Sequence, residues 1–166
     1  MREGIRDKVA IIGMGCIPFR EHFDKSRDDM IIEAAQLTYA SAGVKQDDVD
    51  AFWLGTAQSG MAGITLSAPL KIEGKPVTRV ENYCATGSEA MRQAAYAVAS
   101  GAYDVVMALG VEKVKDGGYQ GLNAAPIPGD GTQRTLTAAA MYSLLLPAYA
   151  NKYGVSEDEL RFVVAK

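Results

Sequence analysis

The sequence predicts an α/β layered fold, and three observations predict it. Residues 9–15, Val-Ala-Ile-Ile-Gly-Met-Gly, form a continuous apolar run closed by glycines, the pattern of a strand covered on both faces of a parallel sheet. Residues 84–100 are rich in alanine and carry only Glu89 and Arg92 as charges, which predicts a helix buried nearly all round. Residues 104–112, Asp-Val-Val-Met-Ala-Leu-Gly-Val-Glu, then give a second central strand, and a strand, helix, strand succession implies helices layered on a parallel sheet.

The remaining elements follow in order. From Asp28 to Ala42 the apolar positions recur at helical spacing, and Gly43 supplies a left-handed stop. After the acidic turn at residues 47–50, residues 51–55 read as a short strand and residues 77–83 as another, while residues 59–70 fit neither period clearly. Gly13-Met14-Gly15 is a weak match to a dinucleotide fingerprint, because Pro18 stands at the third glycine position, and a tight turn explains both glycines. Residues 113–135 hold five glycines and two prolines, which predicts a long excursion rather than a regular element. Two helices are expected after it, at residues 137–153 and from Glu157 onward, the latter opened by a Ser156/Glu159 capping box. Residues 162–166 carry no stop signal, so the last helix reads as unfinished and the chain as a truncated, cleaved or split polypeptide.

Bulk composition narrows the function. At 166 residues the chain is one ordinary domain in length, and 48% hydrophobic with 22% charged residues is globular. A net charge of -3 with scattered basic residues argues against nucleic acid as a partner. The charged start lacks the apolar core of a signal peptide and no segment approaches a membrane span, so a cytoplasmic protein without a membrane partner is expected. Cys16 and Cys84 stand in no metal-ligand spacing; free thiols are expected and no metal.

Cys84 carries the chemical signal. It stands between a predicted strand and a predicted buried helix, where the unpartnered N–H groups and the positive end of the helix dipole favour a thiolate and face an oxyanion on an attacked carbonyl. Small Ala85, Thr86, Gly87 and Ser88 leave room for a substrate. On residue type alone, a buried structural cysteine is the commoner outcome. Cys16 is expected to be a small buried filler, and His22, in the run Arg20-Glu21-His22-Phe23-Asp24-Lys25, a solvated surface residue.

The segment Asn82-Tyr83-Cys84-Ala85-Thr86-Gly87-Ser88 resembles the acyl-enzyme motif of thiolases, especially the branch related to the sterol-carrier-protein thiolases and the acetyl-CoA acetyltransferases. The flanks agree: residues 9–19, with Gly13, Gly15, Pro18 and Phe19, look like that family's first strand and turn, and Gly110-Val111-Glu112-Lys113 like the end of a core strand. Glu81 departs from the family, where a small polar residue or asparagine is usual.

The resemblance implies the amino-terminal half of a thiolase fold. It would have a mixed five-stranded sheet with helices on both faces, a core over residues 1–112, a loop excursion near the active site over 113–150, and the start of a helix over 151–166 leading into an absent carboxy-terminal half. It implies a lipid-metabolic acyl-CoA C-acyltransferase, of β-oxidation type, in which Cys84 takes an acyl group from coenzyme A and a second thioester attacks, or the reverse. Coenzyme A is then substrate or product, with no tightly bound cofactor. The family's histidines and second cysteine come from the carboxy-terminal half, so that half or a second subunit is an expected partner. A homodimer or tetramer through the strand before Cys84 is expected too, and a zinc-ribbon and OB-fold protein is a further partner. Lys113, Lys115 and Arg134 are candidates for coenzyme A phosphates, and Tyr119, Met141, Tyr142 and Leu145 for an acyl tunnel, although solvation of the basic residues and core packing of Met141 and Leu145 are the commoner outcomes. A ketoacyl or hydroxymethylglutaryl-CoA type condensing synthase shares the fold and the cysteine, and a non-catalytic thiolase-like scaffold is the reading from another class.

Overall fold

The computed structural model describes residues 4–114, 125–126, 135–136 and 138–165. They fall into two compact units, residues 1–113 and 114–166.

The first unit opens with a turn at residues 5–8 and an irregular segment, and then helix α1, Arg27–Ala42. Ser26 caps α1: its hydroxyl accepts the Asp29 N–H at 3.1 Å while the Asp29 carboxylate accepts the Ser26 N–H at 2.8 Å. These two bonds satisfy groups that a bare helix start leaves unpaired. Gly43 ends α1 at φ 68, a left-handed conformation that glycine adopts without a Cβ clash. There follow β1 (Ala51–Gly55), α2 (Ile64–Leu70), β2 (Val77–Val80), α3 (Thr86–Ala99) and β3 (Val106–Gly110). The ambiguous stretch at residues 59–70 thus resolves into a loop and the short α2.

The strands form one parallel sheet in the order β2-β1-β3. Every residue of the central strand β1 is buried, and its side chains alternate between two cores. Phe52 and Leu54 join Ile31, Ala35, Leu66, Met107 and Leu109 beneath α1 and α2. Ala51 and Trp53 join Val80, Ala90 and Ala94 beneath α3. Helices therefore cover both faces, as expected. Full burial of Phe52, Ile31, Leu54 and Leu66 is worth roughly 1.5–3 kcal/mol for each side chain.

Four expectations are corrected. The sheet among the described residues has three strands, all parallel, rather than a mixed set of five. Residues 9–15 do not enter it: the segment lies along α1, where the Met14 N–H donates to the Ser41 hydroxyl at 3.2 Å, and Ile11, Ile12 and Met14 are exposed. Its glycines serve close approach rather than a turn, since a Cβ at Gly13 would meet the Ala42 Cβ at 2.4 Å and one at Gly15 the Thr38 nitrogen at 2.5 Å. Helix α3 is not buried all round either. It rests one face on the sheet through Thr86, Ala90 and Ala94, spaced four apart, and exposes Met91 and Tyr96.

The second unit holds the antiparallel pair β4 (Ala125–Pro126) and β5 (Thr135–Leu136), then α4 (Ala138–Ser143), α5 (Leu145–Tyr153) and α6 (Glu157–Ala165). Gly154 stops α5 at φ 66, and Ser156 with Glu159 forms the expected capping box on α6, the Glu159 carboxylate accepting the Ser156 N–H at 2.8 Å. Met141 and Leu145, expected to pack in a core, are exposed.

Candidate active site

In open parallel sheets, ligands bind beyond the carboxyl ends of the strands. Three segments meet that description here: residues 81–85 after β2, 56–59 after β1, and 111–113 after β3.

Cys84 lies in the first. It is the middle residue of a 3-10 turn, Tyr83–Ala85, that runs directly into α3. The thiol is free and exposed. Tyr83, whose residue is 82% exposed, holds φ 46, a left-handed conformation costly for a non-glycine residue. Hydrogen bonds on both sides fix this turn. The Glu81 carboxylate accepts the Tyr83 N–H at 2.5 Å, and the Thr86 hydroxyl accepts the Asn82 N–H at 2.8 Å while donating to the Tyr83 carbonyl at 2.6 Å. Ala85 at the N-cap of α3 makes no side-chain cap bond, and within the turn the Ala85 and Thr86 N–H groups donate to the Asn82 and Tyr83 carbonyls.

The loop after β1 is organised by charge. Glu112, just beyond β3, accepts the Thr56 hydroxyl at 2.9 Å, the N–H groups of Ala57 and Gln58, and the Ser59 hydroxyl at 2.9 Å. Burial opposes ionisation of this carboxyl, but the N–H groups of Ala57 and Gln58 and the hydroxyls of Ser59 and Thr56 outweigh it and hold the group below the usual carboxylate range. From β2, the Arg79 guanidinium donates to the Thr56 carbonyl at 2.7 Å; from α1, Arg27 donates to the Ser59 carbonyl at 2.8 Å. The Lys113 N–H reaches the Ser59 hydroxyl at 2.6 Å. Sequence reasoning singled out none of Thr56, Arg79 and Glu112 for these roles; the one available signal was a lone carboxylate closing an apolar strand.

Cys16 is exposed rather than a buried filler, its thiol donating to the Ile17 carbonyl at 3.2 Å. His22 is the reverse correction: the residue is 5% exposed, with Nε2 at 2.8 Å from the Pro18 carbonyl, because the chain folds back over four residues and covers the ring. Lys115, Tyr119 and Arg134 lie outside the described residues, and Met141, Tyr142 and Leu145 stand exposed on the second unit. Among the described residues no cluster of histidine, cysteine and carboxylate side chains suits a metal ion, and no helix is long and apolar enough to cross a membrane.

Residues 9–159 match the family described as Thiolase, N-terminal domain. The chain is 36% identical to an acetyl-CoA acetyltransferase of Methanocaldococcus jannaschii over 92% of its own length and 41% of the relative's. It is 31% identical to human sterol carrier protein 2 over 90% of its length and 26% of the relative's. The chain thus spans about two fifths of the archaeal relative. Among solved structures, the Ltp2-ChsH2(DUF35) aldolase superposes with a TM-score of 0.57 at 24% identity, covering 89% of this chain and 39% of that one, a likeness of fold. With nearly its whole length matched, the chain belongs to the thiolase family, as the N-terminal domain of that fold.

Proposed function

We propose that the protein is a thiolase-type acyl-CoA C-acyltransferase in which Cys84 is the nucleophile. The observation that carries this reading is the placement of Cys84: an exposed thiol at the carboxyl end of a parallel sheet, in the turn that leads into α3. Its sulfur attacks the thioester carbon of an acyl-CoA, a new S–C bond forms, the bond to the coenzyme A sulfur breaks, and the thiol proton ends on the departing coenzyme A. The positive end of the α3 dipole, at the turn that holds Cys84, favours the oxyanion along that path. Coenzyme A is substrate and product here, not a resident cofactor. Carbon-carbon bond formation or cleavage between thioesters completes the cycle, in the manner of the acetyl-CoA acetyltransferase relatives.

The chain spans 41% of the archaeal relative, and we assign the histidines and second cysteine of the full reaction to the remainder of the protein or to a partner subunit. General acid-base groups contribute roughly 100- to 10,000-fold, so residues 1–166 alone are expected to be nearly silent in turnover. Pairing of two copies through β2, a sheet edge among the described residues, is part of the same proposal. So is a zinc-ribbon and OB-fold partner; a structural neighbour is itself an assembly, Ltp2 with ChsH2(DUF35).

Incubating the intact protein with acetyl-CoA and mapping its peptides by mass spectrometry tests the reading. Acetylation on Cys84, lost in Cys84→Ser together with thiolysis of acetoacetyl-CoA, is expected. Thiolysis that survives Cys84→Ser would sink it, and an intact protein that neither acylates nor turns over would be a scaffold.

A further inference from the structure

We propose that Thr86 is a positioning residue for Cys84, its buried hydroxyl holding the turn that presents the sulfur. The inference rests on Cys84 being the nucleophile, and it assigns the supporting role to a side chain that never touches substrate.

A threonine hydroxyl has one proton to give and lone pairs to accept with. Thr86 uses both functions on the turn behind it, accepting the Asn82 N–H at 2.8 Å and donating to the Tyr83 carbonyl at 2.6 Å. Donation from a helical threonine to a carbonyl three residues back is common and by itself says little. The second bond does not belong to that pattern, because Asn82 lies outside the helix and its N–H is drawn in by the same oxygen. Together the two bonds bracket the one residue, Tyr83, that stands at φ 46 immediately before Cys84. Backbone held in so sparsely populated a region persists only where its surroundings determine it, and such positions gather at active sites.

The hydroxyl is itself held. Thr86 is 7% exposed, and its methyl faces the end of β1, where a Cβ on Gly55 would lie 3.2 Å from it. A β-branched side chain has few χ1 choices, and this contact leaves the oxygen directed at the turn. The central strand thus locates Thr86, Thr86 locates Tyr83, and Tyr83 sets where Cys84 begins. In the acylation step, an S–C bond forms on Cys84 as the thioester C–S bond breaks and the proton passes to the coenzyme A sulfur. Thr86 contributes by fixing the approach of that sulfur through the backbone, and displacement of a reacting atom by about 1 Å costs roughly 100-fold in rate.

The test compares Thr86→Val, which keeps the shape and removes the oxygen, with Thr86→Ser, which keeps the oxygen and removes the methyl, both in the intact protein. The single-turnover rate of Cys84 acetylation is followed against acetyl-CoA concentration, and circular dichroism reports the fold. Thr86→Val is expected to lower the maximal rate roughly 10- to 100-fold while the half-saturating concentration holds, and Thr86→Ser to recover most of the loss. If Thr86→Val does not fold, Thr86→Ala set against Thr86→Ser makes the same comparison. A parent-like rate without the hydroxyl, or an equal loss in the serine variant, overturns the proposal. Iodoacetamide alkylation of Cys84 separates this failure from that of the acyltransfer reading. With a parent that acetyl-CoA does not acylate, slower alkylation in Thr86→Val still supports the positioning role, and equal alkylation still refutes it.

Discussion

Glu112 and Thr56 lie beyond the carboxyl ends of neighbouring strands, and the Thr56 hydroxyl donates to the Glu112 carboxylate at 2.9 Å. The same Thr56 oxygen accepts the Ser59 N–H at 3.1 Å, and the Ser59 hydroxyl returns to Glu112 at 2.9 Å. One carboxylate thus closes a ring around the loop that follows the central strand, beside the strand whose end carries Cys84.

Glu112→Gln replaces an acceptor of several hydrogen bonds by an amide with one acceptor oxygen and a donor facing N–H groups. A loss of about 1–2 kcal/mol is expected at neutral pH, reduced from the value for a buried charge by solvent screening at this exposed residue. The pH dependence has a fixed sign. The folded carboxyl lies below its unfolded value, so its contribution is complete above the ordinary glutamate pKa of about 4.3 and disappears as pH falls through the folded value. Urea melts of parent and variant between neutral and strongly acidic pH should therefore converge on acidification. A constant gap would show that the charge is not responsible.

Gly15→Ala should detach the segment that lies on α1. The new Cβ would sit 2.5 Å from the Thr38 nitrogen and 2.8 Å from the Ala34 carbonyl, and helix backbone cannot yield as a flexible side chain can. A destabilisation of about 1–3 kcal/mol is expected, with hydrogen exchange rising over residues 9–19 before it rises in β1. Unchanged protection there would mean that the segment is not held by this contact.

Pairing through β2 predicts a dimer or larger in light scattering of the intact protein. Among the described residues β2 bonds to β1 on one side and forms an edge of the sheet, and an unpaired edge favours association. Placing proline at Val77, whose N–H points away from β1 in the parallel register, should lower the measured mass toward one chain. A monomer at working concentration in the parent would refute the pairing.

Legibility followed range. Helix α1 was readable because its period and Gly43 are neighbours in sequence, and β1 and β3 because short apolar runs suit strands covered on both faces. The position of Cys84 was readable for the same reason, a strand pattern followed at once by a helix pattern. The Glu112 ring was not, since its partners lie 53 to 56 residues away. Gly13 and Gly15 misled because glycine spacing fits a turn and a close helix contact equally well. His22 misled because its charged neighbours suggested solvent, whereas the chain folds the ring inward onto Pro18.

The two cysteines provide the sharpest local comparison. Both are free and exposed, so access alone predicts equal alkylation. Their surroundings differ: the Cys16 thiol donates to the Ile17 carbonyl in an irregular segment, while Cys84 sits in the turn before α3, whose first-turn N–H groups have no side-chain cap. Cys84 lies at the positive end of the α3 dipole, whereas the Cys16 thiol faces a carbonyl oxygen. Brief iodoacetamide labelling near neutral pH, followed by peptide mapping, is therefore expected to modify Cys84 about tenfold faster, a difference that corresponds to about 1.4 kcal/mol of barrier. Cys84→Ser should leave Cys16 labelling and the thermal midpoint unchanged, because the replaced side chain is exposed and similar in size. Equal rates, or preferential labelling of Cys16, would remove the physical basis for placing the nucleophile at Cys84.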